Sequence, residues 1–114
     1  MGFPPSAVSA TAQVFDPDSA LLAEASFDAG SDAFTVVARA TTDRPYVEYR
    51  YVRVNGTVQT GTHEGVAKSG IPVRFEHHFG AGRRVTFRVC VTGAHDFNPC
   101  SGTDDGENWT VAIA

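Results

Sequence analysis

Along most of this chain apolar and polar side chains alternate one by one, the period that places them on opposite faces of a β-strand. The clearest run is Arg84 to Thr92, where Val85, Phe87, Val89 and Val91 oppose Thr86, Arg88, Cys90 and Thr92. Tyr46 to Val54 sets Val47, Tyr49 and Tyr51 against Glu48, Arg50 and Val52. Ala33 to Thr42 sets Phe34, Val36, Ala38 and Ala40 against Thr35, Val37, Arg39 and Thr41. Ile71 to Phe79 places Val73, Phe75, His77 and Phe79 on one face and Arg74, Glu76 and His78 on the other. Ala7 to Phe15 is a weaker strand, and Trp109, Val111 and Ile113 line a final one that reaches the C-terminus. Residues 20–28 fit two readings. Asp18 or Ser19 would cap a short helix through Leu21 and Leu22, whereas Leu21, Ala23, Ala25 and Phe27 alternate with Leu22, Glu24, Ser26 and Asp28; the strand is the expectation.

Turn chemistry punctuates these runs. Asp16-Pro17-Asp18-Ser19 ends the first strand, with proline presetting one dihedral and aspartate carboxylates placed to accept nearby backbone N–H groups. Asn55-Gly56 predicts a two-residue hairpin turn, with Thr57 to Thr62 returning antiparallel to the strand before it. Residues 64–70 read as a loop and Gly80-Ala81-Gly82 as the next turn. Seven or eight short antiparallel strands, each with two distinct faces, close most economically as a sandwich of two sheets, an all-β fold. The expected organisation is an extended N-terminal arm over residues 1–6, containing Pro4 and Pro5, and a single domain over residues 7–114.

Composition agrees with strands: 14 Val and 11 Thr stand against 2 Leu and 2 Ile. With 114 residues, 42% hydrophobic and 19% charged, the chain suits one globular core and lacks an apolar run long enough to insert in a membrane. A net charge of −4 argues against nucleic acid as a partner, since phosphate neutralisation needs a basic footprint. The nine basic residues all lie between Arg39 and Arg88, so the middle is basic and the ends are acidic. Acidic outer strands beside basic central ones give a mixed surface; complementary patches for head-to-tail self-association are the alternative.

Cys90 and Cys100 are separated by a segment containing Gly93, Asn98 and Pro99, so the chain can fold back and join them. Such a disulfide stabilises by about 2.7 kcal/mol in the chain-entropy model and implies a secreted, extracellular or virion-surface location. The interval is too long for a CxxC redox or metal pair. No basic segment followed by an apolar stretch marks the N-terminus as a signal peptide.

In strand number and spacing the chain resembles immunoglobulin-like and fibronectin type III-like domains over roughly residues 6–114. It departs from antibody domains in two ways. No Trp occupies the strand at residues 46–54, and Cys90 lies on the face of Arg88 and Thr86, away from the apolar one. The disulfide is therefore expected to tie the strand to the following loop on the outside of the sandwich. The Val-Cys, loop, Cys-Ser arrangement ahead of a final Trp strand is also similar to small secreted actinobacterial proteins of unassigned function.

Candidate chemistry is sparse. His77 and His78 are neighbours on a strand and face opposite ways, so at most one meets His63 or His95; His77 is expected to be partly buried on the core face and His78 solvated, with no metal site. The acidic groups Asp104, Asp105 and Glu107, with Asp96 near, lack the spacing of a calcium loop. No nucleophile elbow, paired-carboxylate motif or phosphate loop is present, so neither an enzyme nor a cofactor is expected. Tyr46, Tyr49, Tyr51 and Trp109 would make a sugar-stacking surface if exposed, and core if not. The loop of residues 93–108 is the strongest recognition candidate: the disulfide would stiffen it, with Phe97 at its tip between Asp96 and Asn98, and Asp104 and Asp105 beyond. Phe97 folded back over the end of the core is the competing reading. These residues point to an exported β-sandwich acting by contact with another protein or with itself, as a recognition, adhesion or inhibitor module. A structural subunit of a virion, fibre or surface layer and a carbohydrate-binding module are the alternatives.

Overall fold

The computed structural model describes residues 7–39, 44–53, 55–92, 99–103 and 107–114. Eight strands run in chain order: β1 (Ala10–Phe15), β2 (Leu21–Asp28), β3 (Ala33–Ala38), β4 (Arg44–Val52), β5 (Val58–Glu64), β6 (Val73–Glu76), β7 (Arg84–Thr92) and β8 (Thr110–Ile113). They form two antiparallel four-stranded sheets, ordered β1-β2-β3-β6 and β5-β4-β7-β8. The predicted sandwich is what forms, and of residues 20–28 Leu21–Asp28 is strand.

The alternation read from the sequence sets the inner faces. Ala12, Val14, Ala25, Phe27, Phe34 and Val36 from the first sheet meet Val47, Tyr49, Tyr51, Val85, Phe87 and Val89 from the second in one buried cluster. Phe34 is the centre of its aromatic part, with ring centroids 5.1 Å from Phe27, 5.2 Å from Tyr49 and 5.4 Å from Phe87. Leu22, assigned by simple alternation to the outer face, is buried. The cause is a register shift at Val14/Phe15: Val14 pairs with Ala23 and Phe15 with Leu21, leaving Leu22 as the extra residue of a bulge.

Four local expectations are corrected. The Asn55-Gly56 hairpin closes on the Arg53–Thr57 backbone pair, so the loop is three residues long and not two. Gly56 takes the left-handed conformation (φ 88°), while Asn55 contributes its side chain, whose Oδ1 accepts bonds from Thr57 N (3.0 Å) and Oγ1 (2.7 Å). The strand expected over Ile71 to Phe79 is confined to Val73–Glu76, because residues 77–80 leave the sheet for other partners. His77 N donates to Asp32 O (2.8 Å), Phe79 N to Asp32 Oδ2 (3.1 Å), and Gly80 N to the Tyr51 hydroxyl (2.6 Å). The strand expected over Ala33 to Thr42 is described as Ala33–Ala38, its expected continuation over residues 40–42 lying outside the described residues, and the expected Ala7–Phe15 strand begins at Ala10.

A sandwich has two lateral seams, and they are closed differently here. On one side the chain crosses before β1, where Val8 and Ile113 exchange backbone bonds of 2.9 and 3.0 Å. On the other, the edge strands β5 and β6 share no backbone ladder, and side chains bridge them.

Replacing Phe34 with Ala removes the ring that joins both inner faces. The expected loss is about 3–5 kcal/mol of stability, measured by urea unfolding; a loss below 1 kcal/mol contradicts this packing.

Candidate functional site

The outer face of the second sheet carries the densest polar chemistry. β7 is covered on both faces: Arg88 and Cys90 are buried although they point away from the core. Residues 99–103, within the loop of residues 93–108, return beside them. Cys100 sits directly opposite Cys90, with Val91 N donating to Pro99 O (3.1 Å) and Ser101 N to Val89 O (2.8 Å). Cys90 and Cys100 thus form a non-hydrogen-bonded antiparallel pair, Cα atoms 4.1 Å apart, joined by the disulfide. Residues 99–101 occupy one half of an edge of β7 whose other half, Arg84 to Phe87, pairs with β8. The disulfide ties strand to loop on the outer face, as the sequence predicts, but Cys90 itself is fully enclosed.

Beside the disulfide, Arg88 holds the same segment. Its Nη1 donates to Gly102 O (3.1 Å) and its Nη2 to Glu48 Oε1 (3.0 Å). Trp109 completes the base of the loop: its Nε1 donates to Thr103 O (2.7 Å), and the guanidinium carbons of Arg50 and Arg88 lie 4.6 and 5.3 Å from its ring centre. A Cβ on Gly102 would stand 2.6 Å from Trp109 Cδ1, so this approach requires glycine. A shallow polar groove of about 300 Å³ runs alongside, lined by Glu48, Arg50, Thr60, Thr62 and Trp109.

The four aromatics considered for sugar stacking do not share a surface. Tyr49 and Tyr51 belong to the core, whereas Tyr46, opposite Cys90, and Trp109, beneath the two arginines, lie on the outer face. Of the loop candidates, Asp96, Phe97, Asn98, Asp104 and Asp105 lie outside the described residues, as do His95 and the arm of residues 1–6; the base on which that loop stands is described.

Sequence reasoning gave His77 a half-buried place on the core face and His78 an exposed one, and the structure agrees. It did not anticipate the partner. His63, on the inner face of β5, meets His77 just beyond β6, with the two Nε2 atoms 2.7 Å apart. Alternation along β5 (Gln59, Gly61 and His63 inward) was the available signal. Aromatic stacking fixes both rings: His63 lies on Phe75 (4.4 Å) and His77 on Phe79 (4.6 Å). Burial lowers both imidazole pKa values below the ordinary 6.5, and for His77 the neighbouring His63 and His78 lower it further while Asp32 opposes them. Among the described residues no group of three or more metal-ligating side chains forms. A separate open pocket of about 490 Å³ lies at the end of the sandwich, lined by residues including Asp32, Glu76, His77 and His78.

Comparison with protein-family models, curated proteins and solved structures finds no match.

Two variants probe the loop base. Replacing Cys90 and Cys100 together with Ala is expected to cost about 2–5 kcal/mol, measured by urea unfolding. Gly102→Ala forces the Trp109 ring to move, with an expected cost of about 1–3 kcal/mol and a red shift of the emission of this single tryptophan. An unshifted spectrum contradicts the close approach.

Proposed function

We propose that the protein is an exported, non-enzymatic β-sandwich module that acts by contact with another protein through the loop of residues 93–108. One observation carries the reading: the middle of that loop, residues 99–103, is fixed to a rigid strand and its neighbours. The disulfide and the backbone bonds of residues 99–101 bind it to β7. Directly after them Arg88 and Trp109 hold Gly102 and Thr103. A loop anchored in this way loses less conformational entropy on binding than a free one of equal length. The disulfide supports an oxidising, extracellular setting, and the two-sheet architecture supports the resemblance to immunoglobulin-like and fibronectin type III-like domains.

Assembly of copies is the second reading, and β5 supplies its observation. The backbone pairs Arg53–Thr57 and Pro45–Gly65 fix which residues of β5 bond to β4. By parity the N–H and C=O groups of Val58, Thr60, Thr62 and Glu64 point away from the sheet, along an edge open to a further strand. Carbohydrate binding has the groove beside Trp109 as its support.

Paired affinity capture with the wild-type protein and Phe97→Ala as baits tests the first reading. The expected result is an extracellular partner that the variant binds at least tenfold more weakly, with Tm unchanged within about 2 °C. A partner held equally by both baits overturns it. Concentration-dependent sedimentation that Thr60→Pro abolishes, with no other protein bound, favours assembly.

A further inference from the structure

We propose that His63 and His77 form a proton-operated latch between the two sheets, held closed by one shared proton and opened by a second. The pair bridges the side of the sandwich where β5 and β6 share no backbone ladder. At 2.7 Å the Nε2 atoms are at hydrogen-bond distance, so one ring donates N–H and the other presents a lone pair. A tetrahedral metal ion with bonds of about 2.0–2.1 Å would hold two such nitrogens roughly 3.3 Å apart. The separation fits a proton better than a metal.

The tautomers place the protons. The ring that donates already carries hydrogen on Nε2, so it takes the first added proton at its far nitrogen, Nδ1. Asp32 favours the charged form of His77, while burial, His63 and His78 oppose it. That step leaves the bridge intact as an imidazolium donating to a neutral ring, a stronger bond than the neutral one. The next proton can enter only at Nε2 of the accepting ring, whose Nδ1 already carries a hydrogen; it sets two N–H groups head to head and leaves two cationic rings in contact. That product repels. Tyr49 from β4 packs against both rings without charge to offset this, and Phe34, Phe75 and Phe79 supply none. His78 adds further positive charge on the His77 side. Glu64, next to His63 in sequence, is exposed and paired with Arg44.

His63 is the ring that yields. The backbone of His77 is bound to Asp32 O and that of Phe79 to Asp32 Oδ2, whereas β5 is an edge strand bonded on one side. Its departure uncovers the rings of Phe34, Phe75 and Tyr49. The sign follows from the lowered pKa values. Both rings are neutral in the fold at neutral pH, and the unfolded chain takes up protons first, so the stabilisation is complete above pH 6.5 and drains away as pH falls below it.

Hydrogen exchange of the wild-type protein between pH 7.5 and 4.5, corrected for the intrinsic pH dependence of exchange, tests the latch. Protection of the β5 amides bonded to β4, those of Gln59, Gly61 and His63, is expected to fall at least tenfold at the acid end while Arg84–Thr92 keeps its own. In His63→Gln the pH dependence of β5 protection is expected to vanish. Uniform loss across all strands, or an unchanged β5 response in His63→Gln, overturns the proposal. Should that variant fail to fold, imidazole NMR titration of the wild-type protein decides: two separated steps, with the second well below 6.5, support the latch, and two independent transitions near 6.5 refute it.

Discussion

The structure depends on one contact between layers: the apolar faces of β2 and β3 laid against those of β4 and β7, with Phe34 touching Phe27 on its own sheet and Tyr49 and Phe87 on the other. With 2 Leu and 2 Ile in the chain, bulk comes from aromatic rings and the remaining space is filled by Val and Ala. Such an interior is dry at its centre and must be sealed where the sheets end. The polar features of interest lie outside that centre. One seam is closed by the crossing chain, the other by histidines, and the outer face of β7 is roofed by a clipped segment.

That arrangement separates two kinds of polar group. Arg88 is buried with an acidic partner and a carbonyl, so its charge is compensated in the folded state and locks the roof in position. His63 and His77 are half-buried with each other, so their compensation depends on how many protons they carry. The first is a fixed structural device and the second is conditional.

The sequence made the strands legible wherever one face was apolar, as in β4 and β7, because alternation needs no knowledge of the partner. Lengths were less legible. β6 ends after Glu76 because Asp32 and Tyr51 capture the residues that follow, and neither has any sequence proximity to them. The hairpin after β4 showed its turn residues but not its width, since Asn55 accepts bonds through its side chain and the closing pair is Arg53–Thr57. At the candidate site, the cysteine spacing gave the disulfide and the alternation gave its face. The burial of Arg88 and Cys90 was hidden, because it involves residues 99–103 returning alongside β7 and Trp109 meeting Arg88 on an outer face that reads as polar. The histidine pair was half visible: each ring had a side, but their meeting needs two strand edges from different sheets to converge.

The crosslink between directly opposed residues turns positions 90–100 into a closed covalent ring. Because the Cα atoms at its closure stand 4.1 Å apart, the chain between them leaves and returns at one point of the sheet whatever its length. The frame thus sets where that segment is presented, and the residues carried between the two sulfurs set what is presented there.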